Sequence, residues 1–413
     1  MDQTIVAIDV GSTKICTLIA EITASEALRV IGVGVVGARG VREGVVTDMA
    51  AATEAIGESL LKAERVSGLT VQRAFVSVGG SHLAAQDSRG SAAIGRGDRP
   101  VDGDDIQRAL EEATAISLEY NRAIIQAAPR EFIIDGRDGI RNPIGLLGYR
   151  MELDAHIVTG AHTAIRNLKQ CVVANDVQVL DMYPQPWAAA KAVLTDQERD
   201  LGVALLNIGG GTTELAVYVR DGVRVTKSWA MGGAQLTRAI AEGLRTAVPM
   251  ADELKVRYGQ AFGGNVRADE EIEILVFGSE QVTTVPRKRL CEIVQSYAVE
   301  LMRCVHAELA HAGLTELPAG IVLTGGSANL AGLAEMVAEI TGLPVRIGVP
   351  LRLQGLAETI SDPAYAAAVG LLHWGREKSR TLATGGPEEP TGTWFSRAMV
   401  AARTFFSQLA PRE

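Results

Sequence analysis

The apolar residues follow one order of elements that occurs twice along the chain. Residues 4–9 read as a strand, Gly11 supplies a turn, and residues 15–22 and 29–36 read as two more strands. From about residue 48 to 66 the apolar spacing changes to that of a helix. The order returns after Gly202, with strands at 203–208, 214–219 and 223–229, a turn at 209–211 and a helix at 233–244. IDVGSTKICTLIAE, from Ile8, and LNIGGGTTELAVYV, from Leu206, both begin hydrophobic, acid or amide, hydrophobic, Gly. A repeated strand–turn–strand–strand–helix unit predicts two similar α/β domains facing each other.

The two turns carry the first candidate chemistry. A hairpin turn of Gly, Ser and Thr presents consecutive backbone N–H groups with little side-chain obstruction, which suits phosphate oxygens. Two such turns on facing domains can grip a triphosphate from both sides. Gly11, Ser12, Thr13 and Lys14 form the first candidate set, and Gly209, Gly210, Gly211, Thr212 and Thr213 the second. Asp9, just before the first turn, is placed to hold Mg²⁺ directly or through water. A third element, GIVLTGGSANLAGL from Gly320, reads as strand, turn and helix. Gly325 and Gly326 there let backbone approach a ribose or purine, and Ser327 and Asn329 read as helix caps. Gly32, Gly34 and Gly37 have GxGxxG spacing, but the β-branched run continues through them where a dinucleotide-binding turn would pass into a helix.

Composition narrows the classes. A formal net charge of −9 opposes a broad nucleic-acid footprint, which needs clustered cations. Cys16, Cys171, Cys291 and Cys304 form no CxxC pair, and the six histidines have no tight ligand spacing, so a reducing cytoplasm and no structural metal are expected. Cys16, His156 and His162 read as structural. The start lacks a basic region before an apolar run, and no eighteen apolar residues run together, so neither a signal peptide nor a membrane span is expected.

With both turns and TGGS in place, the chain resembles the actin, Hsp70 and sugar-kinase superfamily, and within it the FtsA family of bacterial cell-division proteins. IDVGSTK and NIGGGTTE are similar to its phosphate motifs and GIVLTGGSANL to its adenosine motif. MYPQPWAAAKAVL is similar to the first connecting helix and puts Gln185 where a Gln or Glu positions the attacking water. ADELKVRYG resembles the helix that closes over the nucleoside, with Asp252 and Lys255 near the ribose or base. GGSHLAAQDSRG and the segment from Pro129 to Gly160 resemble the small subdomain inserted in FtsA proteins, which pilus-assembly actin homologues should lack. One residue departs from the pattern: Asn207 stands where the family usually has Asp. An amide keeps an oxygen acceptor but loses the charge, so the resemblance implies at most a weak ATPase.

The resemblance implies an α/β, actin-like, duplicated ribonuclease-H-like fold of two lobes. The first lobe comprises 1–81, 161–199 and 363–376, interrupted by an inserted subdomain at 82–160. The second comprises 200–231 and 313–362, with a nucleoside-closing subdomain at 232–312. It also implies ATP and Mg²⁺ as ligands, filaments of the protein itself, other division proteins as partners, and FtsZ as the filament to be anchored. PRKRLCEIVQSYAVELM resembles the helix where the FtsZ tail docks and places Arg287 at the contact, although Tyr297 stands where an Arg is often found.

Residues 377–392 are polar and rich in Gly, Pro and Thr, as a flexible linker is. The last 21 residues, 393–413, read as an amphipathic helix. At ~100° per residue, Trp394, Phe395, Met399, Phe405, Phe406 and Leu409 share one arc of roughly 140°, with Arg397 and Arg403 outside it. Aromatics on one face and arginines on the other suit a helix lying in a bilayer interface, and a cytoplasmic-membrane anchor at the division site is what the resemblance implies. Such a tail is not expected of the rival reading, a soluble small-molecule kinase or Hsp70-like ATPase.

Overall fold

A computed structural model describes residues 4–95, 99–262, 266–267, 269–277 and 282–383. The proposed membrane helix and residues 384–392 of the linker lie outside the described residues.

The duplication predicted from the pattern is borne out strand by strand. In the first sheet, Leu28–Gly37, Lys14–Ile22 and Thr4–Val10 run antiparallel in that spatial order, followed by the parallel strands Arg73–Val78 and Gln178–Pro184. In the second, Gly222–Trp229, Thr213–Val219 and Val203–Ile208 are followed by Ile321–Thr324 and Val345–Ile347 in the same arrangement. The short strand Leu353–Gly355 adds a sixth member to the first sheet, beside Leu28–Gly37.

Strand Val203–Ile208 is buried on both faces, and its pleat divides its side chains between two cores. Val203 and Leu205 join the core of the first lobe, whereas Ala204, Leu206 and Ile208 join that of the second. The second core also takes in the helices Gly233–Leu244 and Arg287–His311.

The inserted segment forms a separate four-stranded sheet in the order Ala84–Ala93, Arg150–Ala161, Arg122–Ile134, Arg137–Ile140. Helix Gly103–Thr114 covers it; Asp102 caps this helix in a reciprocal capping box with Asp105. The three glycines at 32, 34 and 37 lie within strand Leu28–Gly37, as the β-branched run indicated. A Cβ on Gly34 would overlap Ser59 O of the helix Met49–Ser67, so that glycine serves close strand–helix packing.

Two sequence expectations need correction. The final helix, Ala366–Ala383, continues through residues 377–383, which composition assigned to the linker. Lys378 explains the continuation: its buried ammonium lies 2.6 Å from Asp181 Oδ2, so this polar residue belongs to the packed first lobe. The TGGS element does not pass directly into a capped α-helix either. Gly326–Asn329 is a 3₁₀ turn, and the helix Leu333–Thr341 starts after Gly332 without a side-chain cap.

Helix Gln185–Val193 packs on Ala366–Ala383 through small residues. A Cβ on Gly370 would overlap Ala188 O, so the backbones meet where any larger residue would part them. Gly370→Ala is therefore expected to lower stability by about 1–3 kcal/mol, the usual cost of overpacking. Gly37→Ala, with nothing within 4 Å of the added Cβ, should stay near the parent. Urea unfolding midpoints of the two variants test this; equal values would remove the close approach as a constraint.

Candidate functional site

The two turns repeat each other in detail. Gly11 N donates to Lys14 O at 3.0 Å and Gly209 N to Thr212 O at 2.8 Å. Among the described residues, the amides of Ser12, Thr13, Gly210 and Gly211 donate to no other backbone group. The carbonyls of the second turn are already engaged: Gly209 O accepts from Gly233 N, Gly210 O from Ala234 N, and Gly211 O from Gln235 Nε2. Helix Gly233–Leu244 thus fills its first unpaired donors with the turn's oxygens. The two turns meet across the lobes. A Cβ on Gly210 would overlap Thr13 Oγ1, and one on Gly211 would lie 2.5 Å from Ser12 Oγ. Ser12 Oγ also accepts from Gly44 N at 3.0 Å.

Below the turns lies a buried polar cluster. Asp9 Oδ1 accepts from Ser77 Oγ at 2.6 Å and from Gln185 Nε2 at 2.8 Å. A Cβ on Gly79 would overlap Gln185 Oε1 and lie 2.6 Å from Glu214 Oε1, so the amide oxygen and this second carboxyl are neighbours. Glu214 accepts from Gly80 N at 3.0 Å and from Asn207 Nδ2 at 3.1 Å. Burial raises its carboxyl to about 7; the bonds from Gly80 and Asn207 pull downward and the charge of Asp9 adds a smaller upward push.

The cross-strand register explains Asn207. Asp9 pairs with Cys16 in the first hairpin, and Asn207 with Glu214 in the second. The second hairpin therefore carries an acid on its outgoing strand and an amide on the incoming one. Burial, followed by the charge of Asp9, pushes the Cys16 thiol up to about 12. Sequence reasoning missed Glu214 and Ser77. The signal for Glu214 was present, since residues 207 and 214 are equidistant from the turn and must face each other in a two-strand hairpin. Ser77 carried no such signal, because its strand joins the sheet from a distant part of the chain.

The nucleoside candidates gather on the other side of the second turn. Ser327 Oγ donates to Gly209 O at 3.2 Å, so it ties the third element to the second turn and does not cap a helix. Asn329 Nδ2 donates to Asp362 Oδ2 at 2.9 Å, again no cap. Lys255 Nζ donates to Asp252 Oδ1, Thr237 Oγ1 and Gly233 O. Gly325 has φ +84°, and a Cβ there would lie 2.7 Å from Asn207 Oδ1; Gly326 follows it at the start of the 3₁₀ turn.

Three candidates sit apart from the donor set. The Thr213 hydroxyl donates to Met231 O at 2.6 Å and is fully buried, so only Thr212 of that pair remains beside the turn. Lys14 Nζ stands 3.5 Å over the Tyr365 ring, and burial lowers its pKa. Arg287 lies at the start of Arg287–His311, where it donates to Tyr258 O and pairs with Glu270 at 2.5 Å. Tyr297 donates from its hydroxyl to Gly232 O at 3.0 Å. Among the described residues no cluster of three or more metal-ligating side chains occurs, and no helix is long and apolar enough to cross a membrane.

The model for "Cell division protein FtsA" matches residues 204–370, and the model for the "SHS2 domain inserted in FTSA" matches residues 80–159. Cell division protein FtsA of Pseudomonas aeruginosa is 36% identical over 375 residues, 91% of this chain and 89% of that one. The chain belongs to the FtsA family of cell-division proteins. The Bacillus subtilis FtsA is 32% identical over 388 residues, covering 93% of this chain and 87% of its own. The fold is actin-like. A PilM–PilN type IV pilus biogenesis complex aligns with TM-score 0.64 at 16% identity, over 90% of this chain and 98% of its own. MreB5 of Spiroplasma citri bound to ADP aligns with TM-score 0.56 at 13% identity, over 93% and 99%. As an FtsA-family member, the chain carries between its actin-like lobes the two turns, Asp9, Gln185 and the Glu214–Asn207 pair.

Glu214 gives a signed pH prediction. Its folded pKa of about 7 exceeds the ordinary 4.5, so stability is fully present below pH 4.5 and falls as pH rises through 7. The loss is on the order of 3 kcal/mol. In nucleotide-free, metal-free protein, Glu214→Gln should remove this slope and be the more stable form at pH 8. Urea unfolding at pH 5 and pH 8 measures it; parallel curves for the two proteins would show that Glu214 is ionised at its ordinary pKa.

Proposed function

We propose that this FtsA-family protein binds ATP with Mg²⁺ between its lobes, assembles into filaments and anchors FtsZ filaments to the cytoplasmic membrane at the division site. The observation that carries the reading is the meeting, across the lobes, of two glycine-rich hairpin turns whose amides at Ser12, Thr13, Gly210 and Gly211 have no backbone partner among the described residues. Backbone amides of Ser12, Thr13, Gly210 and Gly211 would receive phosphate oxygens. Gly209, Gly211, Gly325 and Gly326 keep the walls free of side chains, and Thr212 is left to supply a hydroxyl.

The residues present fit Mg²⁺, which keeps several waters and needs only one or two carboxylates. Asp9 is the acidic side chain of the first hairpin, held in place by Ser77 and Gln185. When bound, the metal would neutralise charge on the phosphates. Gln185 spends its amide N–H on Asp9 and keeps Oε1 as an acceptor that can orient a water. Asn207 brings no charge and donates to Glu214, which supports at most slow hydrolysis. The anchor is the helix at 393–413, by its sequence pattern. One interfacial helix binds weakly, as a single myristoyl chain does. Filaments multiply its effect, with avidity gains of roughly 10²–10⁴. FtsZ and other division proteins follow from family membership, with Arg287 the candidate contact for FtsZ.

Gly210→Val puts a branched side chain against Thr13 and the phosphate-facing amides. A folded Gly210→Val protein should show no ATP binding by calorimetry, and unchanged affinity would refute the site. Phe405→Glu places a charge at the edge of the apolar arc. It should release the protein from anionic liposomes in co-sedimentation while ATP affinity stays at the parent value. Retention on liposomes would transfer the anchoring role away from residues 393–413.

A further inference from the structure

A cavity lies away from the two turns, where the inserted subdomain, the first lobe and the second lobe meet. Its volume is about 100 Å³, on the order of apolar cavities that admit a single ring. Its floor is aromatic. Tyr183 and Trp374 stack with ring centroids 4.2 Å apart, and Trp187 meets Tyr183 edge-on at 6.0 Å. Ala128, from the inserted subdomain, and Ala190, from helix Gln185–Val193, leave space above that floor.

The polar groups around this cavity define what it can take. Its rim carries two cations, and both are paired: Lys191 with Glu377 at 2.7 Å, and Arg199 with Asp221 at 2.7 Å and with Asp196 at 2.8 Å. A charged guest would have to break one of these pairs. Tyr183 and Tyr218 also line the cavity, 5% and 7% exposed, and neither hydroxyl has a hydrogen-bond partner among the described residues. Burial raises both phenols above their ordinary pKa, so each remains a neutral donor at physiological pH. Neither hydroxyl is sealed from solvent, and two donors open to a cavity with an aromatic floor are groups that a ligand's acceptor can take up in place of water.

We propose that this three-way junction is a binding site for a small uncharged molecule with one planar ring and an oxygen acceptor. The ring would lie against Trp374 and Trp187, and the oxygen would accept from the Tyr218 hydroxyl. Because the walls come from three subdomains, an occupant would favour the arrangement in which they close together. The site does not depend on the nucleotide reading.

Benzyl alcohol is a suitable probe for the full-length protein, read by saturation-transfer NMR and by quenching of tryptophan emission. Cyclohexylmethanol lacks the planar ring and benzoate adds a charge; both should bind at least tenfold more weakly. Tyr218→Phe keeps the shape and removes one donor, so benzyl alcohol affinity should fall about five- to tenfold, the ratio for one lost hydrogen bond. Ala128→Leu fills the space from the partly exposed side and should abolish binding while the unfolding midpoint stays at the parent value. If Ala128→Leu does not fold, Tyr218→Phe and the two analogues carry the test alone. No binding of benzyl alcohol to the parent, equal binding of either analogue, or undiminished binding to a folded Ala128→Leu or Tyr218→Phe protein would each overturn the proposal.

Discussion

The contact between helices Gln185–Val193 and Ala366–Ala383 governs much of this molecule. Gly370 lets the two backbones approach at Ala188, and everything along either helix is then fixed in depth. The approach delivers Gln185 to Asp9 and sets Trp374 against Tyr183. Asp181 secures the same layer. Its carboxylate accepts from Lys378, Gln126 and Trp374, and so joins the closing helix, the inserted subdomain and the edge of the first sheet. A buried carboxylate is tolerated only with such company. The two lobes are consequently not independent bodies joined by a hinge peptide: they share a core, part of it supplied by alternate residues of one strand.

Much of this was legible in the sequence because the information was local. Strand alternation, the Gly turns and the repeat of their order required only neighbouring residues, and the three antiparallel strands of each sheet followed. Asp9 and Gln185 are 176 positions apart, yet each could be placed from its own motif. What escaped reading depends on side chains meeting across long separations. The Ser77 hydroxyl reaches Asp9 only because its strand inserts beside the first hairpin. Lys378 looked like linker because its polarity was visible and its partner, Asp181, was not. Ser327 and Asn329 had the right chemistry for caps, but their oxygen and nitrogen were drawn to Gly209 and Asp362.

The Asn207 departure reads differently once its cross-strand partner is known. An amide opposite a glutamate allows a hydrogen bond that two carboxylates could not make without sharing a proton. The second hairpin thus keeps an acidic oxygen directly across from the amide, on the neighbouring strand, in a form poised between neutral and charged near physiological pH.

The first sheet has a further consequence for how the chain reaches this state. Its sixth strand is Leu353–Gly355, and its inner face is covered by Ala366–Ala383, whose Gly375 fits against Ile5 and Phe75. The opening strands therefore wait for nearly the last described residues before their core is complete. During synthesis the inserted subdomain, with its own core and strand pairings confined to residues 84–161, can close before the lobe around it. The lobe that contains the N-terminus cannot. Ile5, Ala7 and Leu18, buried on the face that Ala366–Ala383 covers, wait for that cover while more than 300 residues are added, so this half of the lobe's core closes last.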